Sequence, residues 1–197
     1  MTRITPVESQ NAGWFVRFTY WYAARMFGKA PGSLRVLAQH AGILRANAGY
    51  EFWSSRARTV DEKLKLLAEL RVATMVGCRF CIDIGSSIAR GHGVEARQLL
   101  ELDDYAKSDA FTPVERTVLE YASAMSSERC EVSDELFARL RGYFDERQLV
   151  ELTAAIAWEN QRARFNHALR IPPDGFSQGA VCALPSARLG EAAASSH

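Results

Sequence analysis

A helix that is apolar almost all round has one stable position in a water-soluble chain, the middle, where other elements cover every side. The segment that opens at Thr59-Val60-Asp61-Glu62 and runs to about Met75 is of this kind, with Leu64, Leu66, Leu67, Leu70, Val72 and Ala73 spread around its circumference. Thr59 and Glu62 have the spacing of a capping box, which predicts a helix start at that point. The cover has to come from helices, because no alternating run of β-branched residues bounded by turns occurs anywhere in the chain. An all-α fold is therefore expected, with this segment at its centre.

The covering helices are legible from their ends. Thr112-Pro113-Val114-Glu115 is a second capping box with proline at the first helical position, and Val114, Thr117, Val118, Tyr121, Ala122 and Met125 follow at the spacing of one buried stripe. Ser133-Asp134-Glu135 opens a short helix, and Asp145-Glu146-Arg147-Gln148 caps a long one reaching about Leu169, stopped by Pro172-Pro173. Residues 10–28 and 33–57 also read as helices, joined at Lys29-Ala30-Pro31-Gly32. After Gly175 the chain is rich in Ala, Ser and Gly, so the expectation is a single helical domain over 1–175 and a loosely ordered tail, 176–197, carrying Cys182.

Charge and composition exclude several function classes. The 197 residues include 24 basic and 23 acidic side chains, a net charge of +1. No nucleic-acid footprint is expected, since that needs a basic excess on one face. No stretch approaches the roughly 20 apolar residues that cross a bilayer, and Arg17 interrupts the apolar run from Trp14. The aromatic stretch Trp14–Tyr22 reads as core or as a contact with a second subunit. A membrane-surface helix would want more cations than Arg17, Arg25 and Lys29. Four cysteines are too few and too scattered for a secreted disulfide framework, and the expected address is the cytoplasm.

Two of those cysteines carry chemistry. Cys78-Arg79-Phe80-Cys81 follows Gly77 and opens a helix that runs to about Arg90. Cysteines three apart at a helix start lie about one turn from each other, within reach of a reversible disulfide. The free N–H groups and positive dipole of that helix end favour thiolate over thiol, and Arg79 adds a fixed charge beside the pair. A structural zinc would need two further ligands, which neither Cys130 nor Cys182 supplies as a second close pair, so no metal or cofactor is expected. The bland alternative is two buried, inert thiols.

Leu70-Arg71-Val72-Ala73 … Gly77-Cys78-Arg79-Phe80-Cys81-Ile82-Asp83, with Gln39-His40-Ala41-Gly42-Ile43-Leu44-Arg45 before it and Trp158-Glu159-Asn160 … Ala163-Arg164-Phe165-Asn166-His167-Ala168-Leu169 after it, resembles the carboxymuconolactone decarboxylase family, especially its alkyl hydroperoxidase D-like branch. The resemblance implies an all-helical fold that associates into homo-oligomers. It also implies a thiol peroxidase in which Cys81 attacks a hydroperoxide and becomes a sulfenic acid. Cys78 then condenses with it to a disulfide, which a dithiol such as dihydrolipoamide reduces.

The chain departs from that family at three relay positions, where a glutamate and two histidines are replaced by Leu66, Phe80 and Gly85. A thiol with the ordinary cysteine pKa of about 8.5 is only a few per cent thiolate at neutral pH, so a substitute base is called for. Glu69, one turn along from Leu66, is one candidate, with Arg71 or Arg79 as its alternative ion-pair partner. His167, in the closing segment, is the other, and its bland role is a helix-to-helix hydrogen bond. Asp83 is expected at the surface or in an ion pair, and His92 lies too far along its helix to serve. Two other functions compete with the peroxidase: a non-catalytic oligomer that senses redox state or binds a ligand in space left by Gly85, and the lactone decarboxylation that gives the family its name.

Overall fold

A computed structural model describes residues 2–183, and among them the chain is all-helical. Nine α-helices follow one another over these residues: α1 (Trp14–Phe27), α2 (Gly32–Leu37), α3 (Ala41–Ser54), α4 (Glu62–Val76), α5 (Arg79–Gly91), α6 (Ala96–Leu100), α7 (Pro113–Ser126), α8 (Asp134–Arg141) and α9 (Glu146–Ala168). The apolar segment is α4, and it occupies the centre, packed against α5, α7 and α9. Leu67, Ala68 and Val72 are fully enclosed and Leu70 and Ala73 nearly so. Each buried leucine of this kind contributes about 1.5–3 kcal/mol relative to an exposed one. One face of α4 joins a cluster with α5 and the C-terminal segment, and the other joins α7, α8 and α9.

The start of α4 differs from its sequence reading. Asp61, not Thr59, is the N-cap, accepting from the Lys63 N–H at 2.8 Å. Thr59 is engaged elsewhere: its backbone N–H and hydroxyl donate to the Glu151 carboxylate of α9 at 2.8 and 2.5 Å. A long-range carboxylate has outcompeted the local one. The boxes at Thr112 and Asp145 form as expected, and Ser133 caps α8. The single helix expected over 33–57 is two, broken at Ala38–His40, where the His40 ring accepts the Ile43 N–H and caps α3.

Two further findings concern the ends. α1 buries Val16, Tyr20 and Ala23 and leaves Trp14 (78%), Phe18 (55%) and Trp21 (60%) exposed, so the aromatic stretch is only partly core. Loose order does not begin at residue 176. The Asp83 carboxylate accepts the backbone N–H groups of Gly175, Phe176 and Ser177, and Ser86 accepts that of Ala183, which is itself buried. The rest of the expected tail lies outside the described residues. No helix among the described residues is long and apolar enough to cross a membrane.

Candidate active site

Gly77 turns α4 into α5. It sits at φ +73, in the left-handed region that a side chain disfavours, and its N–H closes α4 on the Ala73 and Thr74 carbonyls. This sharp reversal places Cys78 as the N-cap of α5, where its sulfur accepts the Cys81 N–H at 3.3 Å. Cys81 lies one turn further, and the two sulfurs are 2.8 Å apart. An S–S bond of about 2.05 Å needs only a small approach from there.

The two thiols are not equivalent. The sulfur-to-sulfur hydrogen bond with Cys81 pulls the Cys78 pKa down, against the cost of burial, and the N–H groups of Cys81 and Phe80 add to it. The same shared proton, burial and the nearby Glu159 carboxylate push Cys81 far up. Of the two, Cys78 is the thiol held toward thiolate and Cys81 the one held toward its protonated form. Neither residue is open to bulk water, at 2% and 6% exposed, so only a small or extended reactant reaches the pair.

A polar cluster from α9 stands over Cys81. Asn166 donates its amide to the Cys81 sulfur at 3.4 Å. Glu159, buried at 4% exposure, faces the Cys81 thiol closely enough for that contact to favour its charged form. Its Oε1 has no geometrically complete hydrogen bond, while Oε2 accepts from Arg162 Nε at 2.7 Å. The same guanidinium reaches Glu69 of α4 and Glu51 of α3, each at 3.2 Å. Glu51 is held in turn by the Trp158 indole N–H at 2.8 Å, and Trp158 stacks on Tyr50. Three carboxylates thus share one cation. Burial raises Glu159, and it pushes Glu69 up to about 7, with Arg162 opposing and the neighbouring carboxylates assisting.

Of the residues that the sequence nominates, Cys78 and Cys81 come together. Glu69 pairs with Arg162 rather than with Arg71 or Arg79, and neither sulfur is among its hydrogen-bond partners; Arg71 bonds Asp103 and Ser123 instead. His167 is exposed and its Nδ1 donates to the Gly77 carbonyl at 3.2 Å, pinning the end of α9 to the α4–α5 turn. The role of a base at the sulfur does not fit that placement. Leu66 and Phe80 are buried apolar groups of the core. Gly85 leaves no ligand space: a Cβ there would stand 3.0 Å from Leu70, so the glycine serves the close approach of α4 and α5. Asp83, expected at the surface or in an ion pair, is 5% exposed and bonded to backbone N–H groups and the Ser177 hydroxyl. Burial works to raise its pKa, but hydrogen bonds from Ser177, Phe176 and Gly175 win and hold it low.

Glu159, Arg162 and Asn166 belong to the site without having been nominated by spacing to the cysteines. A signal for them exists in the sequence: Leu149, Leu152, Ile156, Glu159, Ala163 and Asn166 recur at three- and four-residue spacing and are all buried on α9. Polar residues in register with a buried stripe need partners inside. Among the described residues no group of three or more His, Cys, Asp or Glu side chains could hold a metal ion.

Residues 38–124 match the carboxymuconolactone decarboxylase family. The uncharacterized Escherichia coli protein YnjA is 34% identical over 169 residues, covering 85% of this chain and 90% of that one. Among solved structures, a form of the debrominase Bmp8 in complex with 2,3,4-tribromopyrrole superposes with a TM-score of 0.77 at 21% identity, covering 97% of each chain. An uncharacterized peroxidase-related protein from Ralstonia eutropha with an alkylhydroperoxidase AhpD core also gives 0.77, at 19% identity over 89% of this chain and 94% of that one. At these identities the two structures speak for the fold.

Proposed function

The chain belongs to the carboxymuconolactone decarboxylase family and has the fold of its AhpD-like members, and from that premise we propose that it reduces hydroperoxides through a reversible Cys78–Cys81 disulfide. The observation that carries the reading is the sulfur pair itself, 2.8 Å apart at the start of a helix, with one member held toward thiolate.

The chemistry runs in three steps. The Cys81 sulfur attacks an oxygen of the hydroperoxide, the O–O bond breaks, the alcohol leaves with the Cys81 proton, and Cys81 becomes a sulfenic acid. Cys78 then attacks that sulfur, the S–S bond forms, and hydroxide departs with the Cys78 proton as water. A dithiol donor of the dihydrolipoamide class returns both thiols by exchange and is oxidised to its own disulfide. The asymmetry of the pair suits these roles. Cys78, the thiol with the lowered pKa, is a ready attacker in the second step and a good leaving group in the third, because a low-pKa thiol leaves faster. Asn166 gives Cys81 a donor for charge that develops on its sulfur.

A reducing compartment such as the cytoplasm keeps the pair ready. A homo-oligomer fits the exposed α1 aromatics, since single copies rarely leave so many large apolar groups to water.

The test is oxidation of the reduced protein by one equivalent of tert-butyl hydroperoxide, with peptide mapping by mass spectrometry. A Cys78–Cys81 disulfide forming within seconds is expected, together with sulfenic acid trapped on Cys81 in C78S and repeated turnover when dihydrolipoamide is supplied. Free thiols after an hour would refute the reading. Oxidation without turnover would leave a redox sensor, and consumption of a bromopyrrole instead of the hydroperoxide would move the chemistry to carbon–halogen bonds.

A further inference from the structure

Cys81 is the thiol chosen to attack, and its sulfur must give up a proton as the new bond forms. The leaving alkoxide, in turn, must gain one. Both needs meet at the same place. Glu159 lies on the same buried face of α9 as Asn166, which reaches the Cys81 sulfur; its buried Oε1 has no hydrogen-bond partner, and its other oxygen is fixed by Arg162 at 2.7 Å. An unpartnered carboxylate oxygen in a nearly closed site is costly unless it has work to do. The cation that steadies it is shared, since Arg162 also reaches Glu51 and Glu69 at 3.2 Å each. Side-chain exposure grades along the cluster, from 6% at Glu159 through 26% at Glu69 to 41% at Glu51.

We infer that Glu159 carries the proton of Cys81 to the alcohol leaving group, and that Glu69, through the shared Arg162, sets the pH at which it can do so. The inference rests on the peroxidase reading above. As the Cys81 sulfur bonds to the peroxide oxygen, the S–H bond breaks and its proton passes to Glu159 Oε1. As the O–O bond breaks, the same carboxyl gives the proton to the departing alkoxide, so no proton enters or leaves the site and Glu159 ends as it began. Glu69 is a positioning residue: its negative charge competes for Arg162 and so weakens the hold of that cation on Glu159. The ionisable groups facing Glu159 are Cys81 and Cys78 on α5, Arg162 on its own helix, Glu69 on α4 and Glu51 on α3, with Glu62 acting on Glu69.

Two reagents separate this role from a structural one. Iodoacetamide expels iodide, which needs no proton; a hydroperoxide expels an alkoxide, which does. In a C78S background, where Cys81 is the one sulfur of the pair, E159Q is expected to slow oxidation by tert-butyl hydroperoxide about 100-fold, the scale of general acid–base catalysis, and to slow alkylation by iodoacetamide far less, because that reaction loses only the proton acceptor. E159D should recover part of the loss. E69Q keeps the cluster but frees Arg162 for Glu159, so the acid limb of the hydroperoxide pH profile should move to lower pH with the alkylation profile little changed. Equal slowing of both reagents in E159Q would reduce Glu159 to a packing role and overturn the inference. So would an unaltered hydroperoxide rate. A wild-type protein inert to hydroperoxide but reactive toward iodoacetamide would overturn the peroxidase reading and this inference with it, whereas normal wild-type oxidation with an indifferent E159Q would overturn only the latter.

Discussion

Two regions flank the cysteine pair, and they have exchanged characters relative to what family resemblance implies. On the α4–α5 side, where relay groups are expected, Leu66 and Phe80 are packed core and Gly85 is the contact point that lets Leu70 in. On the α9 side, where a closing helix has mainly to cover the core, Glu159, Arg162 and Asn166 are polar, enclosed and directed at the sulfurs or at one another. A buried polar network needs all of its members satisfied to be tolerable. Here one arginine is shared by carboxylates from three helices and leaves Glu159 Oε1 without a partner, which locates the ionisable chemistry on one side of the pair and the hydrophobic stability on the other.

Restoring the missing carboxylate tests that division most severely. L66E places a carboxyl among Leu67, Leu70 and the α5 core, an apolar cluster that holds no cation, and should cost about 3–5 kcal/mol, seen as a fall in melting temperature of roughly 10 °C for a chain of this size. Activity toward hydroperoxide is expected not to rise. A stable, faster L66E would mean that the α4–α5 side is a degraded relay rather than a rebuilt core.

The charged side has its own signature in pH. Glu69 carries a folded pKa of about 7 against an ordinary 4.5. The native state therefore binds more protons than the unfolded state between those values, and stability declines as pH rises from about 4.5 to about 7. E69Q should flatten that part of the stability curve measured by urea denaturation. An unchanged slope would place Glu69 outside the coupled cluster. The smallest effect is expected at Gly85. G85A gains about 1 kcal/mol in helix propensity and loses about as much by pressing a Cβ to 3.0 Å from the flexible end of Leu70. The melting temperature should shift by no more than about 1 kcal/mol allows. A large loss would show the α4–α5 contact to be tighter than a single methyl can relax.

Much of the fold is legible in the sequence because its signals are local. The all-round apolar pattern of α4, the boxes at Thr112 and Asp145 and the glycine at 77 each state a helix or its end within a few residues. Legibility fails where a distant group intervenes. Thr59 has the spacing to pair with Glu62, three residues away, but it bonds to Glu151, 92 residues away. Asp83, two residues after Cys81 and on the opposite face of the helix, reads as a surface or ion-pair acid; its partners arrive with Gly175, Phe176 and Ser177. In the site, Cys78 and Cys81 are plain from spacing. Glu69 stands out as an acid on a buried helix, but the cations near it in sequence lie on α4 and α5, and the one that binds it comes from α9. Glu159 lies far along the chain from the cysteines, and only the buried stripe of its own helix marks it as enclosed.

Cys78 has one more consequence as the residue that begins α5. Its sulfur serves as the helix's terminal acceptor, taking the Cys81 N–H. A reduced sulfur held toward thiolate complements the positive end of the helix dipole, and a neutral disulfide sulfur does so far less. The electron count of the pair is thus written into the fraying of the first turn of α5, and amide hydrogen exchange there would read out the oxidation state without any chemical probe of sulfur.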